Sequence, residues 1–226
     1  FDPLIFGQPL EVSLQHASAI VTSPYEKINF GPLPMVVAVS GTYLLENALQ
    51  VQGIFRLNGS AKRIRELQQI FAEPPTFGST ITWQGYNVHD AANLLRRYLN
   101  NLPEPIVPLS EYDSFRAPFV ALELSHPNSS SGKPAKFSSA QRREIVSEQQ
   151  KLFMRLPPAN RQLLLYLLDM LEMFAKHSKK NLMPVPNLAS SFQPCILSHP
   201  SHDQSPEDYK ISRACVIFLI ENCKDF

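Results

Sequence analysis

Twenty prolines stand in this chain of 226 residues, and their placement constrains the fold more than any other feature. They fall between apolar stretches of helical period, or at the starts of those stretches. Proline lacks the N–H that a helix interior requires, yet it suits a first turn. The prolines therefore punctuate many helices and do not mark disorder. Val/Ile/Thr alternation of the strand type is scarce. The expectation is an all-α domain with irregular connections. Hydrophobic residues make up 44% of the chain, enough for a core in one large domain or two small ones.

Residues 1–31 read as mixed and turn-rich, with a short helix near Leu10–Ala19. Pro34 opens a helix to about Ala48, with Val37, Gly41, Leu44 and Ala48 on one face. Ser60 caps a second helix with an Ile64, Leu67, Phe71 stripe. Asn87 caps a third, with Asp90 at its third position and Val88, Ala92, Leu95 and Leu99 inside. That helix stops at Leu102-Pro103-Glu104-Pro105, and a fourth begins near Ser110. The polar, serine-rich stretch near 125–137 reads as a surface insertion. A long helix runs from Pro157 to about Lys176, burying Leu163, Leu164, Leu167, Met170, Leu171 and Phe174. A short one follows Asn187. The last starts at Ser205-Pro206-Glu207-Asp208 and ends near Lys224.

A net charge of +1 offers no bulk attraction for nucleic acid or an anionic membrane. No apolar run approaches the roughly 18 residues of a membrane span, and FDPLIFG lacks the basic start of a signal peptide. The chain begins with Phe and reads as a monomeric domain of a longer protein. Cys195, Cys215 and Cys223 lack metal-ligand spacing and read as reduced thiols. No GxSxG, HExxH, GxxxxGK[ST] or GxGxxG signature of an enzyme occurs. His89 and Asp90 read as helix-start residues, and Trp83 as a packing anchor.

One stretch does not fit a purely structural reading. In Gly53-Ile54-Phe55-Arg56-Leu57-Asn58-Gly59-Ser60 an arginine follows two residues that call for burial. No acid lies within nine residues of Arg56 on either side. Gly53 and Gly59 are expected to permit the backbone angles of a tight loop. Arg56 is either a surface arginine bonding carbonyls or a guanidinium held outward for an anion, whose oxygens suit its planar fork. From Gly53 to Asn100 there are six basic residues (Arg56, Lys62, Arg63, Arg65, Arg96, Arg97) against three acids. Helical spacing puts Arg96 beside the apolar stripe, Asn100 one turn on, and Arg97 away from the core.

GIFRLNGS, NVHDAANLLRRYLNNLPEPIVP, LPPANRQLLLYLLDMLEMF and NLMPVPNLASSFQPCIL together resemble the Rho GTPase-activating (RhoGAP) domain, in the family's order and at about its spacing. The resemblance covers roughly Phe6 to the C-terminus, and RRYLNNLPEP and SFQP resemble fungal members. It implies a single helical domain built around a helix bundle, acting in Rho signalling and cytoskeleton regulation. It implies that Arg56 is an arginine finger, supported by Gly53, Phe55 and Gly59. Arg96 takes the place of a lysine that orients the finger loop and touches the GTPase. Asn187 meets the GTPase near its nucleotide, with Asn181 and Ser190 at or beside that surface and Asn100 also on it. The implied partner is a GTP-bound Rho-family GTPase, and the domain is implied to need no cofactor, since GTP and magnesium belong to that partner. The location implied is cytoplasmic, with recruitment to the membrane periphery left to regions outside the chain.

Two positions depart from the family: arginine is usual at Asn100, and asparagine at Cys195. A RhoGAP-like scaffold that binds a GTPase without accelerating hydrolysis is therefore the alternative. A helical enzyme with an unrecognised site is a third and weaker reading.

Overall fold

The computed structural model describes residues 3–23, 27–125 and 136–226. Among these residues the chain forms ten α-helices and one two-stranded antiparallel sheet. In order they are α1 (Leu10–His16), β1 (Ser18–Thr22), β2 (Asn29–Pro34), α2 (Met35–Asn47), α3 (Ala61–Ala72) and α4 (Val88–Asn100). Then follow α5 (Tyr112–Ser125), α6 (Ser139–Arg155), α7 (Pro158–Lys176), α8 (Ser178–Asn181), α9 (Val185–Ile196) and α10 (Pro206–Glu221).

Helix α7 is the central post, and its expected stripe from Leu163 to Phe174 is buried. Around it pack β2, α9 and α10, while α2 and α3 lie on α4, and α4 on α9. A leucine buried in such a core contributes about 1.5–3 kcal/mol relative to exposure. The helix starts follow local chemistry. The Ser60 and Ser205 hydroxyls accept the N–H groups of Arg63 and Asp208, and Asn87 and Asp90 form a reciprocal capping box. Trp83 is a packing anchor, stacked on Tyr43 with ring centroids 4.3 Å apart. Cys195 and Cys215 are buried thiols, Cys223 is half-buried, and all three are free. No helix among the described residues is long and apolar enough to cross a membrane.

Four expectations are corrected. Helix α1 ends at His16, where Ala17 turns extended (φ −154°, ψ 108°). The chain then forms β1, paired with β2 in the register Ser18↔Pro34, Ala19↔Leu33, Ile20↔Pro32 and Thr22↔Asn29. A five-residue strand is too short for alternation to declare it, and its partner carries two prolines. Proline also enters helix interiors, at Pro118 in α5 and Pro194 in α9. Helix α9 starts at Val185, before Asn187, on a Pro184 cap. Residues 126–135 of the expected insertion lie outside the described residues, but Phe137 packs half-buried against the core, edge-on to Phe119 at 5.4 Å and Phe218 at 6.0 Å.

Candidate functional site

The loop between α2 and α3 is shaped by two left-handed residues, Gly53 (φ 73°) and Phe55 (φ 66°). The Gly53 N–H donates to the Asn181 carbonyl at 2.8 Å. The Gly53 carbonyl accepts from the N–H groups of Arg56 (2.9 Å) and Leu57 (2.8 Å), closing a tight turn. A left-handed backbone costs a non-glycine residue roughly 1–2 kcal/mol. Phe55 offsets this by burial, with 1% of its surface exposed. Its ring stands edge-on to Phe174 of α7 at 4.9 Å and Phe192 of α9 at 5.0 Å. Arg96 of α4 donates from Nη1 to the Phe55 carbonyl at 3.0 Å. The residue before Arg56 is thus gripped through its ring, its carbonyl and its backbone twist. The twist ends the buried run Gly53-Ile54-Phe55 and delivers Arg56 to solvent.

Arg56 makes no ion pair among the described residues, and its Nη2 lies 3.6 Å from where a Cβ on Gly53 would sit. Gly59 plays a different part from the one expected. Its φ is not left-handed. It is small because a Cβ there would fall 2.3 Å from Asp90 Oδ1 and 2.7 Å from the Asp90 nitrogen.

Asp90 holds the far end of the loop. Its side chain is fully buried and accepts from the Ser60 N–H (2.8 Å), the Asn87 N–H (2.9 Å) and Arg63 Nε (2.6 Å). Burial alone would raise the carboxyl pKa. The Arg63 hydrogen bond and the N–H groups of Asn87 and Ser60 outweigh it and leave the pKa below its ordinary 3.8. Asp90→Ala removes a cap from two helix starts at about 1 kcal/mol each, so the thermal midpoint falls by roughly 4–8 °C. A depressed pKa stabilises fully above the ordinary carboxylate value and is lost as pH falls through the folded value. Acid unfolding curves of the parent and the variant therefore converge below about pH 3.8.

The other sequence-derived residues separate into two groups. Arg96 and Asn100 line one shallow hollow together with Asn58, Asn93, Arg97 and Asn101. Asn187 is exposed near the start of α9, the helix whose Phe192 grips Phe55. Asn181, by contrast, is completely buried. Its Nδ2 donates to the carbonyls of Leu49 (2.9 Å) and Phe174 (2.8 Å), and its Oδ1 accepts from the Met183 N–H (2.8 Å). It braces the loop from inside and offers nothing to a partner, which corrects its expected surface role. Ser190 is similarly occupied: it donates to the Pro186 carbonyl (3.0 Å) and accepts from Arg213 Nε of α10 (2.6 Å). Arg97 does not simply face solvent but bonds Gln68 of α3 at 3.0 Å. Cys195 is sealed behind the site, and burial pushes its thiol up to about 12.

Sequence reasoning missed Asn93. Its Oδ1 accepts the Gly59 N–H at 2.7 Å and its Nδ2 donates to Asn58 at 3.3 Å. The signal was its place three residues before Arg96, on the same face of α4.

A family model described as the RhoGAP domain matches residues 34–201. The Rho-GTPase-activating protein BAG7 of Saccharomyces cerevisiae is 44% identical over 226 residues, covering 100% of this chain and 52% of its own length. Rho-GTPase-activating protein 5 of Schizosaccharomyces pombe is 46% identical over 228 aligned positions, covering 100% of this chain and 59% of its own length. The chain thus spans little more than half the length of these curated relatives. Among solved structures, human Rho GTPase activating protein 15 superposes with a TM-score of 0.75 at 18% identity, covering 99% of this chain and 92% of that one, a likeness of fold alone. The BH domain from Graf, described as the GTPase regulator associated with focal adhesion kinase, gives 0.68 at 25% identity, covering 84% of this chain and 91% of that one.

Proposed function

This chain belongs to the RhoGAP domain family, and from that premise we propose that it accelerates GTP hydrolysis by a Rho-family small GTPase, with Arg56 as an arginine finger supplied in trans. One observation carries the reading: Arg56 is exposed and free of any acid among the described residues, while the residue before it is clamped by Phe174, Phe192 and Arg96.

During hydrolysis negative charge grows on the β–γ bridging and γ-phosphate oxygens. A guanidinium brought to those oxygens stabilises the transition state more than the ground state, and that difference appears as rate. Preorganisation matters because a loop that needed ordering at each encounter would lose part of the gain. The Phe55 grip and the Gly53 N–H bond supply that order before docking. Arg96 acts as a loop-positioning residue through the Phe55 carbonyl. Its Nε is buried without a partner. Asn187 and Asn100 are the exposed groups for direct contact with the GTPase.

GTP and magnesium belong to the partner in this reading, and the domain is an activator that completes another protein's active site. It works in the cytoplasm as a single copy, with any recruitment to a membrane periphery left to other regions of a longer protein. The test is single-turnover GTP hydrolysis by a panel of Rho, Rac and related GTPases, each with and without this domain. Acceleration of at least one member is expected. Binding without acceleration selects the scaffold reading, and silence across the panel overturns both.

A further inference from the structure

Two of the four non-glycine residues with left-handed backbones among the described residues lie on either side of one hydrogen bond. Phe55 stands two residues after Gly53, whose N–H is the donor; Leu182 (φ 60°) directly follows Asn181, whose carbonyl is the acceptor. Phe55 is buried, which accounts for its strain. Leu182 is the left-handed cap that ends α8, so the helix end sets its backbone, but its side chain is not buried as that of Phe55 is. Its neighbours Asn181 and Met183 are both fully buried, and it is 48% exposed. Its N–H is held by Ser178 and the next N–H by Asn181 Oδ1 at 2.8 Å, so the backbone has no freedom there. Glycine or asparagine would adopt this conformation more readily, so what the fold leaves unexplained is an exposed leucine at a cap that suits neither its backbone nor its apolar side chain.

A second half-exposed leucine stands on the other side of that hydrogen bond. Leu57, immediately after Arg56, is 47% exposed. Its Cγ and Cδ1 cover Gly53, each 2.7 Å from where a Cβ would be, and Arg56 Nη2 approaches that same point at 3.6 Å. Gly53 is thus the shared floor beneath Arg56 and Leu57, and its N–H ties that floor to the turn that carries Leu182.

We infer that Leu57 and Leu182 form an apolar docking pair beside the finger, covered by the GTP-bound Rho-type GTPase whose phosphates Arg56 meets. The inference rests on the reading of Arg56 as a finger, because continuity with that arginine identifies what covers the leucines. Half-exposed leucines become fully buried when the faces meet, and they exclude water from the rim of a charged contact. Their contribution goes to docking. Arg56 contributes to the rate at saturation.

The variants are Leu182→Asn, Leu182→Gly and Leu57→Asn, with Arg56→Ala beside them. Binding is measured by calorimetry to the best-stimulated Rho-type GTPase of the panel loaded with a non-hydrolysable GTP analogue, and thermal unfolding is followed in parallel. Asparagine and glycine suit the backbone of residue 182, so both variants at that position keep or raise the thermal midpoint. Each single leucine variant is expected to weaken binding by about five- to tenfold, and Leu57→Asn combined with Leu182→Asn by more. Parent-like affinity in folded leucine variants overturns the docking pair, even where Arg56→Ala abolishes stimulation and the finger stands. If Arg56→Ala leaves stimulation intact, the finger reading fails, while the binding measurement still decides the leucines. Absence of binding by the parent domain to every panel member overturns both.

Discussion

Arg56→Ala lowers stimulated single-turnover GTP hydrolysis by at least about a hundredfold, while affinity for the GTP-bound GTPase changes little. An arginine finger is worth on the order of 10³–10⁵ in rate, or about 4–7 kcal/mol of barrier. Most of that term vanishes with the guanidinium, because no other exposed cation is held on this loop. Binding survives because the charge Arg56 meets is fully developed only in the transition state. The fold also survives: the side chain is exposed, makes no ion pair among the described residues, and lies outside the Phe55 grip. The thermal midpoint of the variant therefore stays within about 1 °C of the parent, as expected for a surface change. Arg56→Lys restores charge but not the planar fork that spans two oxygens, so it recovers only a small part of the rate. Unchanged stimulation by the alanine variant would remove Arg56 from the mechanism and leave the domain as a binding module.

What could be read ahead of the structure was local. The caps at Ser60, Asn87 and Ser205 and the α7 stripe depend on residues three or four apart, and each appears where expected. The loop from Gly53 to Ser60 was also legible as a tight turn that exposes its arginine, since Ile54-Phe55 beside an unpaired arginine is contained in eight residues. The misses depended on distant parts of the chain. The β1–β2 pair needs a partner about a dozen residues away. Gly59 looked like a conformational glycine, yet its smallness answers to Asp90, 31 positions on. Phe55 gave no hint of a left-handed backbone, because only Phe174 and Phe192 make that conformation tolerable. A polar residue in a run such as Lys179-Lys180-Asn181-Leu182 gives no sign of burial until the carbonyls that surround it are known.

Asn181 carries the second large effect, and it falls on stability. Asn181→Ala deletes two donors and one acceptor from a fully buried site, stranding the carbonyls of Leu49 and Phe174 and the N–H of Met183. A lost buried hydrogen bond costs about 1 kcal/mol net, and more where its former partner finds no water. The three bonds share one side chain and do not add fully, so the total is about 3 kcal/mol. Against a typical stability of about 5–15 kcal/mol this is a large fraction, and it corresponds to a thermal midpoint lower by roughly 6–12 °C. Asn181→Asp is expected to be worse, because a carboxylate would face two carbonyl oxygens with nothing to donate. Stimulation also falls at temperatures where the variant remains folded. The Asn181 carbonyl holds the Gly53 N–H at 2.8 Å, and slack in the 181 turn reaches the base of the Arg56 loop. A surface contact would behave in the opposite way, with an unchanged midpoint and weakened binding to the GTP-bound GTPase. Thermal unfolding and a binding isotherm on Asn181→Ala therefore separate an internal brace from a partner contact. A parent-like midpoint with weakened binding would return Asn181 to the interface.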